Sequence, residues 1–136
     1  MLDELNERLA HRQKPNRKYP NLEGKRILVV EDDPVIAVDY HFQMKDAGAK
    51  AQGFKGTNAS ALLYLDTHDV DAAIIDFQLS DGTSEAIMDL LRERGIPYIV
   101  VSACTFRLHG EEAGAPILSK PVMPGEVCRA LSEVLH

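Results

Sequence analysis

The sequence predicts an α/β fold with a parallel sheet covered on both faces, because apolar, β-branched runs alternate with segments of helical periodicity from Arg26 to the C-terminus. Three of those runs, Ile27 to Val30, Ala72 to Ile75 and Tyr98 to Val101, are continuous and not alternating, as strands buried on both faces are. The 136 residues, 45% hydrophobic and 26% charged, suffice for one domain with a sizeable core.

The elements follow in order. Before Arg26, Leu2, Leu5 and Leu9 recur at i, i+3, i+7, compatible with either a short amphipathic helix or a solvated tail, and KPNRKYPN (Lys14 to Asn21) reads as a Pro-punctuated linker. We therefore expect an N-terminal helical and linker extension over 1–22 and a folded domain over 23–136. The first strand is Ile27 to Val30. Asp33-Pro34 then has the form of an N-cap followed by Pro at the first helical position, and Ile36, Tyr40, Met44 and Ala47 keep helical spacing until Gly48. A weaker strand is expected around Ala49 to Phe54 and a helix over Asn58 to His68. A strong strand ending at Asp76, a helix over Ser84 to Arg94 stopped by Gly95, and a strand at Tyr98 to Val101 come next. The rest reads as an irregular segment from Ala103 to Gly114, a short strand at Ile117-Leu118, and a helix with Val127, Leu131, Val134 and Leu135 on one face.

Composition removes several function classes. Fifteen basic against 21 acidic side chains give a net charge of −6, which provides no general positive footprint for nucleic acid. The charge divides unevenly, with residues 1–26 at +3 and residues 27–136 at −9. No run approaches a membrane span, and MLDELNERLAHRQ is too charged for a signal peptide, so no membrane association and a cytoplasmic location are expected. Cys104 and Cys128, and the five histidines, show no metal-ligand spacing.

In open parallel sheets chemistry gathers beyond the carboxyl ends of the strands. Here those ends carry Glu31, Asp32 and Asp33 after the first strand, Asp76 after the third, Ser102 after the fourth and Lys120 after the fifth. Each alone has an ordinary explanation as a cap, a turn residue or a solvated loop side chain. Together they place several carboxylates, a hydroxyl and an ammonium on one edge. Clustered carboxylates repel unless a cation lies among them, and a hard divalent ion such as Mg²⁺ takes oxygen ligands. The set suits formation of an aspartyl-phosphate.

With ILVVEDDP (Ile27 to Pro34), AAIIDFQLSDG (Ala72 to Gly82), IVVSA (Ile99 to Ala103) and LSKP (Leu118 to Pro121) in this order and spacing, the sequence resembles the receiver domain of two-component response regulators over about Lys25 to His136. The resemblance implies a flavodoxin-like (βα)5 doubly wound sheet of strand order 2-1-3-4-5. It implies that Asp76 accepts phosphate from a phosphohistidine of a histidine kinase or histidine phosphotransfer protein. Asp32 and Asp76 would then hold Mg²⁺ directly, with the backbone carbonyl of Gln78 as another ligand and Glu31 acting through a bound water. Lys120 would pair with the phosphoryl oxygens, its bond to Pro121 being cis, and Ser102 would donate its hydroxyl. Asp33 is left to helix capping.

Departures from the family pattern also bear on function. Ile117 stands where many receivers place an aromatic switch residue, so a coupled Ser/aromatic rotamer change is not expected. Lys120 follows Ser102 at a separation of only 18, which predicts a fourth helix that is abbreviated or partly unwound. QLSDGTS and RGIPYIVVSA resemble stand-alone receivers that pair with HWE-type sensor kinases, although that subgroup favours Phe-Ala-Thr where this chain has Val100, Val101 and Ser102. The apolar Cys104, two places after Ser102, predicts slow self-hydrolysis.

No GxxxxGK[ST] and no GxGxxG after a strand is present, so nucleotide use and an enzymatic activity of its own are not expected. A haloacid-dehalogenase-type phosphatase would want a second Asp at position 78, which is Gln. A flavodoxin would want a Ser/Thr/Gly-rich phosphate loop after the first strand, which is missing. A phosphorylation-independent pseudo-receiver and a receiver fragment of a hybrid kinase are the remaining alternatives. With no output module after the last helix, the signal is expected to leave by contact with an unknown downstream protein effector.

Overall fold

The computed structural model describes residues 18–103 and 114–135. Five strands, β1 (Arg26–Val30), β2 (Lys50–Lys55), β3 (Ala72–Asp76), β4 (Tyr98–Ser102) and β5 (Ile117–Ser119), form one parallel sheet in the order β2-β1-β3-β4-β5. The helices are α1 (Pro34–Asp46), α2 (Asn58–Thr67), α3 (Glu85–Glu93) and α4 (Glu126–Leu135). Sheet, order and covering helices are those of the flavodoxin-like fold expected from the sequence. The N-terminal residues 1–17, for which a short amphipathic helix or a solvated tail is expected, and residues 104–113, which hold Cys104 and the expected abbreviated helix, lie outside the described residues.

Strand alternation divides the interior in two. Ile27, Val29, Ala72, Ile74, Ile99 and Val101 face one side, where they meet Ala37, Tyr40 and Met44 of α1 and Val127 and Leu131 of α4. Leu28, Val30, Ala73, Ile75, Tyr98 and Val100 face the other, against Ala61 and Leu65 of α2 and Ile87, Met88 and Leu91 of α3. Both faces of the central strands are thus apolar, which explains their continuous hydrophobic runs.

The helix ends obey local rules. Asp33 caps α1, its carboxylate accepting from the Val35 amide at 2.9 Å, with Pro34 at the first position. Gly48, at φ 87°, follows α1 in a conformation that costs other residues strain. Thr57 and Ser60 form a reciprocal capping box on α2. Asp81 adds a second support, accepting from the amides of Asn58 at 2.9 Å and Ala59 at 3.2 Å. Those backbone donors hold the Asp81 carboxyl below the ordinary carboxylate range. Asp81 reaches α2 because Gln78–Leu79 and Gly82–Thr83 pair as a short antiparallel ribbon, an element the linear pattern did not predict.

Two features at the N-terminal side refine the sequence reading. A 3-10 turn at Pro20–Leu22 places Leu22 in the core at 0% exposure, so packing reaches upstream of the Glu23 boundary. Asn21 fastens it to α4, donating to the Ser132 carbonyl at 2.7 Å and accepting from the Ser132 hydroxyl at 2.6 Å. Arg26 and Asp71 join the starts of β1 and β3: the Asp71 carboxylate accepts from the Arg26 amide at 2.7 Å and from the guanidinium at 3.2 Å. The Arg26 hydrogen bond lowers the Asp71 carboxyl pKa from its ordinary 3.8, against an opposing effect of burial.

Two stability measurements check this packing. Leu22→Ala, which empties a fully buried site, is expected to lower the unfolding free energy in urea by about 2–4 kcal/mol, whereas Val35→Ala on the surface changes it by under about 0.5 kcal/mol. Because the folded-state pKa of Asp71 is depressed, its stabilisation is present above the ordinary value and lost as pH falls. Asp71→Asn should therefore lower Tm at neutral pH, with the gap to the parent closing below pH 3.8.

Candidate functional site

Neighbouring parallel strands end at one level, and that level collects the polar residues. β1 is apolar to Val30 and hands over to Glu31 and Asp32; β3 ends on Asp76; β4 ends on Ser102; β5 leads to Lys120. Asp76 is in register with Val101, so Ser102 lies one residue further toward the same edge, and the Lys120 amide donates to the Ser102 carbonyl at 3.0 Å.

Lys120 joins the strands chemically. Its Nζ donates to Asp76 Oδ2 at 2.9 Å and to Glu31 Oε2 at 3.0 Å. Asp76 Oδ1 accepts from the Gln78 amide at 3.3 Å, and Glu31 Oε1 accepts from the Asp33 amide at 3.1 Å. Glu31, Asp76 and Ser102 are buried, while Asp32 is exposed. One carboxylate oxygen from each of Glu31, Asp32 and Asp76 falls within 4.8 Å of the others. The Lys120–Pro121 bond is cis, as the resemblance implied.

The electrostatics follow from burial and count. Burial pushes the Glu31 carboxyl up to about 7, with the Lys120 hydrogen bond and the Asp33 amide pulling it down and the Asp76 charge pushing it up. For Lys120, burial favours the neutral amine, but the hydrogen bonds that it donates to Asp76 and Glu31 outweigh it and the net pKa is raised. The ammonium is thus held charged. One ammonium cannot neutralise three carboxylates, and an all-oxygen set with one solvent-exposed member fits a hard divalent cation. Glu31, Asp32 and Asp76 are the side chains that could hold it.

The structure brings together Glu31, Asp32, Asp76 and Lys120 by direct geometry, and Ser102 and Gln78 by backbone position. Asp33 caps α1 and stays out of the cluster. Ile117, partly buried, packs into the α2–α3 side of the core, leaving an aliphatic side chain at the expected switch position. The helical spacing of Tyr40 predicts nothing beyond a place on the packed face of α1. The residue is buried, and its hydroxyl pKa is pushed up to about 12 by burial and then by the charge of Glu31, so it forms part of the cluster's electrostatic surroundings. Helical periodicity could not have signalled that second role.

No protein-family profile matches the chain. The phyllosphere-induced regulator PhyR of Methylorubrum extorquens is 31% identical over 114 residues, covering 80% of this chain and 43% of PhyR. The chain thus spans less than half the length of that curated relative. Among solved structures, the response regulator PhyR from Brucella abortus matches with a TM-score of 0.76 at 27% identity, over 88% of this chain and 51% of that one. The receiver domain of PhyR from Erythrobacter litoralis matches in fold with a TM-score of 0.74 at 23% identity, over 83% and 91% of the two chains.

The Glu31 shift has a measurable sign. The folded protein keeps the Glu31 proton up to about pH 7, whereas the unfolded chain releases it near 4.5, so stability is highest below 4.5 for this group and declines as pH rises to 7. In divalent-free buffer, urea unfolding of Glu31→Gln should show a flatter stability profile between pH 5 and about 7.5 than the parent does.

Proposed function

The chain carries a receiver domain of the two-component response regulators, and from that premise we propose that it takes a phosphoryl group from a phosphohistidine onto Asp76 and signals through protein contacts. The donor is a histidine kinase or histidine phosphotransfer protein, and the receiver of the signal is a protein effector. The observation that carries this reading is Lys120, which reaches from the last strand to Asp76 at 2.9 Å and Glu31 at 3.0 Å, beside a third carboxylate at the same edge.

An oxygen of the Asp76 carboxylate attacks phosphorus while the P–N bond of the donor histidine breaks, its electron pair staying with the imidazole. Phosphoryl transfer asks a protein mainly for alignment and charge compensation. The Gln78 amide and Lys120 fix the Asp76 carboxylate from two directions, and the Lys120 ammonium then faces the new phosphoryl oxygens. The Ser102 hydroxyl, at the same sheet edge, donates to one of those oxygens. Asp32 and Asp76 directly, the Gln78 backbone carbonyl, and Glu31 through water would hold Mg²⁺. When bound, that ion neutralises charge on acceptor and phosphoryl group. Glu31 also holds Lys120 in place, which explains a buried carboxylate next to one that must react.

Incubation with acetyl phosphate and Mg²⁺ should label the parent with acid-labile, hydroxylamine-sensitive phosphate, and Asp76→Asn should reduce the label to background. Asp32→Asn should retain the fold and lower the labelling rate at least about tenfold, given a metal ligand's usual weight. Undiminished labelling in Asp76→Asn would overturn the assignment.

A further inference from the structure

Two loops flank the carboxylate cluster, and a bridge joins them. The first runs from β2 into α2. Its Lys55 carbonyl accepts from the Glu31 amide at 2.9 Å, and a Cβ on Gly56 would stand 3.7 Å from the Asp32 Cα and 3.9 Å from the Glu31 carbonyl oxygen. Residues 55–56 thus lie directly against the Glu31–Asp32 backbone. The second loop follows Asp76. There the Gln78 amide donates to Asp76 Oδ1 at 3.3 Å, and Gln78–Leu79 pairs with Gly82–Thr83 in the short ribbon.

The ribbon has a small hold on the core: Leu79 is buried, whereas Gln78, Ser80, Asp81 and Thr83 are exposed. Its tip is gripped from the first loop. Asp81 Oδ1 accepts from the Asn58 amide at 2.9 Å and from Asn58 Nδ2 at 3.2 Å, and Asp81 Oδ2 accepts from the Ala59 amide at 3.2 Å. The same Asn58 Nδ2 donates to the Thr83 carbonyl at 3.0 Å, so one side chain holds both limbs of the turn. Thr57 and Ser60 already cap α2 reciprocally. The contacts between Asn58 and Asp81 therefore do more than finish a helix: they fix the separation of the two loops.

We propose that Asp81 and Asn58 are positioning residues for the divalent cation, clamping the ribbon to the loop beside Asp32 and so holding the Gln78 backbone in place against Asp76. The proposal rests on the Mg²⁺-dependent phosphoacceptor reading above, in which the Gln78 carbonyl and the Asp32 carboxylate share the ion. A backbone carbonyl has no rotamer to adjust, so its position depends on how its loop is held, and a loop that must first be ordered lowers affinity. Neither Asp81 nor Asn58 touches the ion or the phosphoryl group. Their effect falls on affinity for the ion, while the Lys120 contacts to Asp76 and Glu31 stay as they are.

The test is a Mg²⁺ titration of the full chain without phosphodonor, followed by amide NMR shifts around Asp32 and Asp76. Asp81→Ala is expected to weaken Mg²⁺ binding roughly tenfold. That variant also removes a negative charge, so Asn58→Ala is the second arm: it changes no charge, deletes the side-chain grip, and should weaken binding in the same direction. In the double variant the two losses should fall short of additive, as for two partners in one contact. Ser60→Ala, which opens the capping box and leaves the bridge, should lower Tm and keep the parent's Mg²⁺ affinity, separating a weakened helix from a displaced ribbon. Parent-like Mg²⁺ affinity in both Asp81→Ala and Asn58→Ala, or an equal loss in Ser60→Ala, would overturn the proposal. If the parent binds Mg²⁺ and is labelled at Asp76 while both variants bind like it, the positioning role alone fails; a parent that binds no Mg²⁺ overturns the reading of the site as well.

Discussion

The bridge from the Lys120 ammonium to Asp76 and Glu31 is the interaction on which the carboxylate edge depends. Asp76 and Glu31 come from adjacent strands β3 and β1, and both are nearly removed from solvent. Two buried carboxylates so placed repel each other and lose hydration. Lys120 compensates both at 2.9 and 3.0 Å, and the amides of Gln78 and Asp33 satisfy the outward-turned oxygens. Burial alone would favour a neutral lysine, and its raised pKa shows that the pair of carboxylates prevails. The arrangement leaves the cluster with more negative than positive charge and Asp32 on the open side, an excess that a divalent cation could neutralise.

The fold makes this bridge possible through parallel register. Because β1, β3, β4 and β5 all run the same way, residues that end each strand meet without any loop having to fold back. The apolar runs that bury β1 and β3 on both faces also end abruptly where the charges begin, at Val30 and Ile75. A rigid interior therefore sets the positions of groups that would otherwise separate.

Much of this was legible in the sequence for a physical reason: strands buried on both faces write continuous apolar runs, and a charged residue directly after such a run can only stand at the sheet edge. Glu31 and Asp76 are readable on that ground, Lys120 lies one serine past the short apolar pair Ile117-Leu118, and Asp33 with Pro34 and Gly48 are readable as helix-end residues of α1. What escaped were contacts made across long stretches of chain. The Asp81 cap on α2 requires the short ribbon at Gln78–Thr83 to turn back toward Asn58, and no local periodicity encodes that. Leu22 sits in a segment whose prolines suggest a linker, yet the Asn21–Ser132 pair fastens it to α4 and buries it. Tyr40 counted as one more apolar position on α1, and only the folded chain sets its hydroxyl beside the charges.

The central claim is that the edge held by Lys120 makes Asp76, among 21 acidic residues, the one that forms an acyl phosphate. The most direct measurement is borohydride trapping after phosphotransfer, followed by peptide mass spectrometry, since reduction of an aspartyl-phosphate leaves homoserine at the modified position. The account predicts homoserine at position 76 and nowhere else. Homoserine at another aspartate, with position 76 unmodified, would contradict it.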